Sequence, residues 1–266
     1  LSAVSGSLQQ GNLQHTSGYS PYALSFDGIS GKLVASKDLT SLSAITISVW
    51  ANKNSLNATN DALFGIRRTV GGVPQGTGLQ IWRYPSGNLT FIDMDGGSSS
   101  LGFEPIDDVW FHLVITYDVT NIKAYVNGNL SLTTTSTNSL ALSGATGTSP
   151  PIYIGSGASG GNSWVGDISN FSLFNTAINQ AQVTTLYNQG VPSNLNNFTP
   201  KPIAWWQTGS NSSFNTNWTC LDEIGTNNAV SAGGMTEDDI VNGVGYSGNG
   251  LGTSSIDIVG DAPYSP

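Results

Sequence analysis

Short runs of alternating apolar and polar residues, bounded by Gly, Asn, Pro or Ser, recur along most of this chain. Such a run places every second side chain on one face of a strand, so it predicts half-buried antiparallel β-strands. The clearest run is residues 44–51 (AITISVWA). Six further runs have the same character: residues 79–83, 88–93, 110–117, 121–126, 151–155 and 166–174. The sequence therefore predicts an all-β protein.

Two local signals indicate how parts of this β-structure are connected. The dipeptide Asn127-Gly128 tolerates positive φ at both central positions of a tight turn, so it predicts a hairpin between residues 121–126 and 130–134. A convincing helical period is found in residues 179–188, and a glycine follows shortly after. We expect one short helix there.

Charge is scarce in the chain and its balance is acidic. Charged residues make up 9% of the sequence, against about 25% in typical globular domains. Eight Lys and Arg stand against 17 Asp and Glu, for a net charge of -9. A protein that tracks nucleic-acid phosphates needs clustered cations, so this balance argues against nucleic acid as a partner. No stretch approaches the roughly 20 apolar residues of a membrane span, so membrane insertion is not expected.

Cysteine chemistry is limited by a single residue, Cys220. One cysteine cannot form an intrachain disulfide or a cysteine-based metal cluster. A nucleophilic role would need His15 or His112 beside it, since these are the two histidines of the chain. We expect a buried or free thiol, and a strand position for His112.

Several segments, taken in order, resemble a known family. They are residues 22–28 (YALSFDG), 47–50 (ISVW), 110–117 (WFHLVITY), 123–128 (KAYVNG), 152–155 (IYIG), 166–169 (GDIS), 174–178 (FNTAI) and 186–190 (LYNQG). They look like the laminin-G-like branch of the concanavalin A-like jelly rolls. The resemblance implies an antiparallel β-sandwich over residues 22–190. One departure is that the acidic pair usual after Gly-x-Ile is reduced to Asp167.

The flanking segments are assigned from composition and from a repeat. Residues 1–21 are expected to form an N-terminal arm, 191–202 a Pro/Asn-rich linker and 203–266 a C-terminal tail. Within the arm and the tail, AVS at 3–5 recurs at 229–231 and GYS at 18–20 recurs at 245–247. This repeat suggests that the tail is a partial copy of the unit that includes the arm. The matching end points also suggest a processed or longer protein.

Jelly rolls of this family include glycoside hydrolases, so an enzymatic function must be considered. Retaining hydrolysis needs two carboxyl groups about 5 to 5.5 Å apart, commonly alternating on one strand. The three glutamates, Glu104, Glu223 and Glu237, are isolated, and Asp93 with Asp95 is the nearest approach to a pair. We therefore predict no enzymatic activity and no catalytic residues.

Glycan binding is the natural alternative to catalysis for this family. Sugar sites combine an aromatic platform with amide or carboxylate hydrogen bonds, so Trp82, Tyr84, Asn162 and Trp164 are candidate glycan contacts. Calcium is the one cofactor that the resemblance implies, because some laminin-G-like domains bind it through hard oxygen ligands. Its candidate ligands are Asp27, Asp93, Asp95 and Asp167.

The leading functional hypothesis is a structural or adhesive subunit of an extracellular assembly: a filament, fibre, sheath or virion component. Arm and tail would be exchanged between neighbouring subunits by strand addition at sheet edges. The candidate subunit contacts are Trp205, Trp206, Trp218, Tyr246 and Tyr19. The protein itself is then its main partner, and we expect it outside the cell, on a cell surface or in a virion. A lectin-like glycan-binding module is the alternative hypothesis, and a glycoside hydrolase is the third.

Overall fold

The structure is a computed structural model, described for residues 21–39, 41–54, 60–70, 73–85, 87–92, 97–118, 120–135 and 151–244. Its strands are β1 Tyr22–Asp27, β2 Lys32–Ser36, β3 Ile45–Ala51, β4 Asp61–Val70, β5 Val73–Arg83, β6 Leu89–Ile92, β7 Ser98–Ser100, β8 Phe111–Tyr117, β9 Asn121–Val126, β10 Asn129–Thr135, β11 Pro151–Ile154, β12 Val165–Phe174, β13 Ala204–Trp206, β14 Ser212–Asn215, β15 Asn217–Cys220, β16 Ala229–Ala232 and β17 Ile240–Asn242. One α-helix, α1, spans Gln180–Tyr187.

These strands form two antiparallel sheets that pack as a sandwich, which confirms the predicted all-β jelly roll. The first sheet has the order β10-β9-β8-β3-β12-β1-β17, with β13 also paired to β12. The second sheet has the order β14-β15-β16-β2-β11-β4-β5-β6-β7. Phenylalanines from both sheets, including Phe26, Phe64, Phe91, Phe111 and Phe171, fill the core between them. Alternation along each strand buries one face and leaves the other face outside the sandwich.

The local predictions from sequence are confirmed. All seven alternating runs are strands, and β9 pairs with β10 across a turn in which Asn127 and Gly128 have φ of 49° and 79°. Helix α1 begins at the N-cap Asn179, whose side chain accepts the Gln182 backbone N–H, while the Gln182 side chain accepts the Asn179 N–H. This reciprocal pair is a capping box and fixes where the helix starts.

The C-terminal segment differs from the separate tail that the sequence suggested. Residues 204–242 supply β13 and β17 to the first sheet and β14, β15 and β16 to the second. Trp205, Trp206 and Trp218 are each 0% exposed. Short strands with few apolar residues cannot build a core of their own, so they gain stability by extending sheets that already exist. Trp206 and Trp218 therefore lie in the core of their own chain, and Trp205 is buried on the outer face of the first sheet.

The segment assigned as a linker also packs against the domain. The Ser193 hydroxyl donates to the backbone carbonyls of Thr185 and Leu186 at 3.1 and 3.0 Å, and Leu195 is buried. Together with α1, this segment covers the outer face of the first sheet. The covering cluster comprises Val114, Tyr125, Phe174, Ile178, Val183, Leu186, Leu195 and Trp205.

Candidate functional site

The outer face of the second sheet carries a row of residues that lie side by side across four strands. In this row Val34 pairs with Tyr153, Tyr153 with Gly65, and Gly65 with Gln80. Their sequence neighbours, such as Ile152 and Ile154, are 0% exposed in the core, so the row points away from it. This face is where the second sheet can meet a ligand.

A loop formed by residues 155–163 crosses this face above Gly65. A Cβ at Gly65 would collide with the backbone of Gly157 and Ala158, so only a glycine allows the loop to lie this close to the sheet. Lys32 holds the same loop from the other side, because its Nζ donates to the Gly160 carbonyl at 2.8 Å. The loop therefore divides the outer face into two parts.

On one side of the loop, two aromatic side chains form a half-buried shelf. The rings of Trp82 and Tyr84 stack with centroids 6.1 Å apart and planes 23° apart. The Trp82 indole Nε1–H donates to the Gln80 side-chain carbonyl at 2.8 Å, and the Ala158 N–H donates to the same oxygen at 2.8 Å. Gln80 thereby fixes both the Trp82 ring and the loop. We call Gln80, Trp82 and Tyr84 the aromatic shelf.

The other two sequence-predicted glycan contacts have different positions. Asn162 is exposed in the loop beside the shelf, with φ of 55°, and its backbone carbonyl accepts the Ala62 N–H at 2.9 Å. Trp164 is 0% exposed, and its indole N–H donates to the Asn52 carbonyl at 2.9 Å. Full burial leaves Trp164 no surface for a ligand, so it is a core residue here. The structure thus brings together Trp82 and Tyr84, with the Asn162 loop beside them.

On the other side of the loop lies the second part of the outer face. Tyr153 and Val34 are half-buried there, and Val230, which pairs with Val34 from β16, is 41% exposed. Because Val230 comes from the C-terminal segment, that segment widens the outer face as well as completing the core.

At one end of the sandwich, loops surround a polar cavity of about 150 Å³. Its lining includes Lys53, Asn54, Arg83, Gly87, Glu104 and Asp107, and we call it the end cavity. The buried Asp61 carboxylate accepts from Lys53 Nζ at 3.1 Å and from Arg83 Nε at 3.0 Å. Burial lowers the pKa of Lys53, while Asp61 opposes that shift.

No sequence motif predicts the end cavity, yet one signal is present. In a chain with only eight Lys and Arg, Lys53 and Arg83 each stand at the end of an apolar strand, and Asp61 begins another. Charges at such positions rarely lie buried unless they are paired. Which strand ends meet was decided by the sheet topology.

The structure does not gather the proposed calcium ligands into a site among the residues it describes. Asp27 is exposed at the end of β1, where Oδ1 accepts the Ile29 N–H at 2.8 Å. Burial raises the pKa of Asp167 to about 6, against a hydrogen bond from Ser25 that lowers it. Asp93 and Asp95 lie outside the described residues. In the described part of the chain, no group of three or more His, Cys, Asp or Glu could hold a metal ion.

Two potentially reactive side chains are enclosed. His112 is 0% exposed, its Nε2 lies 2.8 Å from the Ser48 hydroxyl, and burial lowers its pKa to about 3. Cys220 is also buried, which raises the pKa of its thiol to about 11. A neutral thiol is a poor nucleophile, and neither group reaches solvent. Among the subunit-contact candidates, Tyr19 and Tyr246 lie outside the described residues.

Comparison with known families agrees with this architecture. A family model described as the concanavalin A-like lectin/glucanases superfamily, of the laminin-G type, matches residues 27–184. The chain belongs to this superfamily. The match begins at the last residue of β1 and ends within α1, and strands β13 to β17 follow it in sequence. No curated protein matches this superfamily member in a sequence comparison.

Solved structures show the same fold at low identity. A Bacteroides ovatus protein proposed to bind carbohydrate superposes with a TM-score of 0.62 at 15% identity, over 84% of this chain and 60% of that one. This superfamily member therefore spans less than two thirds of that relative. A heptameric SAP-like pentraxin from Limulus polyphemus gives a TM-score of 0.49 at 17% identity, over 63% of this chain and 82% of that one.

A third solved structure is one domain of an enzyme. Domain 4 of an extracellular arabinanase from Geobacillus stearothermophilus, in complex with arabinotriose, gives a TM-score of 0.45 at 20% identity. The superposition covers 62% of this chain and 76% of that domain.

No helix in the described part of this superfamily member is long and apolar enough to cross a membrane.

Proposed function

We propose that this protein is a carbohydrate-binding module that holds a glycan on the aromatic shelf. The observation that carries the proposal is the stacked Trp82 and Tyr84 pair, which is half-buried on the outer face of the second sheet. The apolar faces of sugar rings pack on aromatic rings, while the sugar hydroxyls need hydrogen-bonding groups at the margin. The exposed Asn162 side chain lies beside the shelf, where it can supply them.

The shelf is also pre-organised, which favours binding. Gln80 holds the Trp82 ring through a hydrogen bond, and Gly65 lets the loop of residues 155–163 lie against the sheet. A ligand then meets side chains that already have their bound positions, so little conformational entropy is lost on binding. The superfamily contains lectins, which supports the same class of ligand.

The test is a Trp82→Ala variant assayed on a glycan array and by affinity electrophoresis in soluble polysaccharides. We expect wild type to bind at least one class of glycan and the variant to lose at least tenfold in affinity, since stacked aromatic contacts dominate such surfaces. The matched control is Tyr187→Ala. It removes a half-buried aromatic ring of α1 that stacks on Trp50, on the outer face of the first sheet. Wild-type protein that binds no glycan, or a Trp82→Ala variant that binds normally, would contradict the proposal.

A second function, as a subunit of an extracellular or virion assembly, has one specific observation in its favour. Residues 229–231, which form part of β16 beside β2, are repeated at residues 3–5. A segment that completes both sheets of its own chain could complete those of a neighbour instead, as in domain swapping. The exchange would bury Trp205, Trp206 and Trp218 between subunits in the same environment they have here.

Assembly is tested by particle mass rather than by binding. Deleting residues 203–266 would remove five strands and unfold the sandwich, so the deletions should be residues 1–20 and 245–266, separately and together. Light scattering and electron microscopy of the full chain should show large ordered particles, and the deletions should show whether residues 1–20 or 245–266 are needed to form them. A monomeric full chain at all concentrations would contradict assembly while leaving the glycan proposal intact.

A further inference from the structure

The end cavity has a lining unlike the aromatic shelf, because charge dominates it. Lys53 is 2% exposed, and its Nζ donates to Asp61 and to the carbonyls of Asn54 and Val165 at 3.1, 2.8 and 3.1 Å. All three ammonium protons are therefore used within the protein. Glu104 and Asp107 are exposed at the same cavity. The cavity thus presents the carboxylate oxygens of Glu104 and Asp107 to a ligand. Its two cations, Lys53 and Arg83, are already paired with the buried Asp61.

We propose that the end cavity binds a single neutral polyhydroxylated ring, such as a hexopyranose, with the Glu104 carboxylate accepting hydrogen bonds from its hydroxyls. This inference rests on the proposed function for the class of ligand. It adds a second binding position, separate from the aromatic shelf, and a preference for uncharged sugars.

The charges of the lining select among possible ligands. An anionic sugar would bring its carboxylate towards Glu104 and Asp107, which repel it. A metal cation would meet Lys53 and Arg83, and the described residues hold no group of three acidic or other metal-ligating side chains. Hydroxyl groups both donate and accept, so they can satisfy carboxylate oxygens and the Asn54 amide together.

The size of the cavity sets the length of the ligand. Its volume of about 150 Å³ is well below the roughly 300 to 1,000 Å³ of pockets that enclose drug-sized ligands. A single small ring suits this volume better than an oligosaccharide does. The remainder of a longer glycan would have to extend out of the cavity.

Gly87 allows Glu104 to take its position in the wall. Its φ is +96°, a conformation that glycine adopts readily, and a Cβ at this position would collide with the Glu104 carboxylate. The carboxylate therefore lies against bare backbone in the loop that follows β5. A larger residue at position 87 would move the Glu104 carboxylate away from this position at the cavity.

The experiment titrates ¹⁵N-labelled full-length protein with neutral monosaccharides and with glucuronate, and follows the amides of Asn54, Gly87 and Asp107 by NMR. We expect saturable shifts with at least one neutral sugar and none with glucuronate. Glu104→Gln keeps the shape but weakens the acceptor, so the dissociation constant should rise roughly tenfold. The control Glu237→Gln changes an exposed glutamate of the C-terminal segment and should leave it unchanged.

Each outcome separates this inference from the proposed function. Absence of saturable shifts at the three amides, or equal affinity in wild type and Glu104→Gln, overturns the inference. Trp82→Ala serves as the second variant, and it should keep the monosaccharide affinity of the end cavity. If Trp82→Ala binds glycan arrays normally while Glu104→Gln loses monosaccharide binding, the shelf proposal fails and the inference stands. Binding of glucuronate with neutral-sugar affinity would also overturn it.

Discussion

The side-chain carbonyl of Gln80 accepts the Trp82 indole N–H and so joins two alternate residues of one strand on the outer face of the second sheet. The same oxygen accepts the backbone N–H of Ala158 from the loop that crosses the sheet. One buried amide thus positions both the aromatic ring and the loop beside it. Removing that acceptor should therefore disturb both the shelf and the loop.

Replacing this acceptor tests the role of Gln80. Gln80→Met keeps the side-chain length but leaves two donors without their partner, which costs about 1 to 3 kcal/mol each where the donor stays buried. We expect several-fold weaker glycan binding together with a loss of that size in the free energy of unfolding. The control is Gln189→Met, an exposed position beyond α1. Equal glycan affinity in Gln80→Met and wild type would show that the amide does not organise the shelf.

Gly65 provides a second test, because it lies beneath the loop. In Gly65→Ala the new methyl group would meet the backbone of Ala158, so the loop must move off the sheet. Glycan affinity should fall, and amide signals of residues 156–163 should shift in NMR spectra. Gly161→Ala in the same loop is the control, since its φ is not positive and the nearest atom to its Cβ position, the Ser159 Oγ, lies 3.9 Å away. A loop unchanged in Gly65→Ala would contradict the close packing.

The integration of the C-terminal segment predicts a large stability effect at Trp206. Its ring is fully buried against Phe171, with centroids 6.0 Å apart, so Trp206→Ala should destabilise the protein by about 3 to 5 kcal/mol. Denaturant unfolding should remain a single transition when followed by fluorescence and by circular dichroism. Tyr84→Ala, which removes a half-buried ring, should cost clearly less. An early separate transition of residues 203–244 would mean that this segment is an independent appendage.

Asp167 predicts a pH-dependent effect whose sign follows from its pKa. Burial raises that pKa to about 6 from 3.8, so the native state binds a proton more tightly than the unfolded chain does. The free energy of unfolding therefore falls as pH rises from about 4 to 6. Asp167→Asn should be more stable than wild type at pH 7, by at most about 3 kcal/mol, and should lose this advantage below pH 4.

Asp118 supplies a control of opposite sign. Backbone hydrogen bonds, first from Asn121 and then from Thr120, hold the pKa of its exposed carboxyl below the usual range. Asp118→Asn should therefore be slightly less stable than wild type at neutral pH, with the difference vanishing in acid. Denaturant titrations from about pH 2 to 8 measure both variants. The same pH trend in both would contradict the burial argument for Asp167.

Local pattern in the sequence was enough to predict the class of fold and many of its parts. Alternation predicted strands such as β3 and β8, Asn127-Gly128 predicted the hairpin between β9 and β10, and the helical period predicted α1. These features depend on neighbours within a few residues, and the periods of 2 and 3.6 are visible in one dimension. The order of the segments that resemble the laminin-G-like family predicted the jelly-roll fold.

What the sequence could not determine depends on contacts between distant residues. Trp82 and Trp164 looked equally suitable for a glycan, but the fold half-buries one and encloses the other beneath Asn52. The Asp61 carboxylate meets Lys53 and Arg83 because the ends of β3, β4 and β5 coincide. Strands β13 to β17 joined the two sheets by pairing with β1, β2 and β12, which lie outside their own segment. Strand order and burial follow from the whole core, so only the tertiary structure decided them.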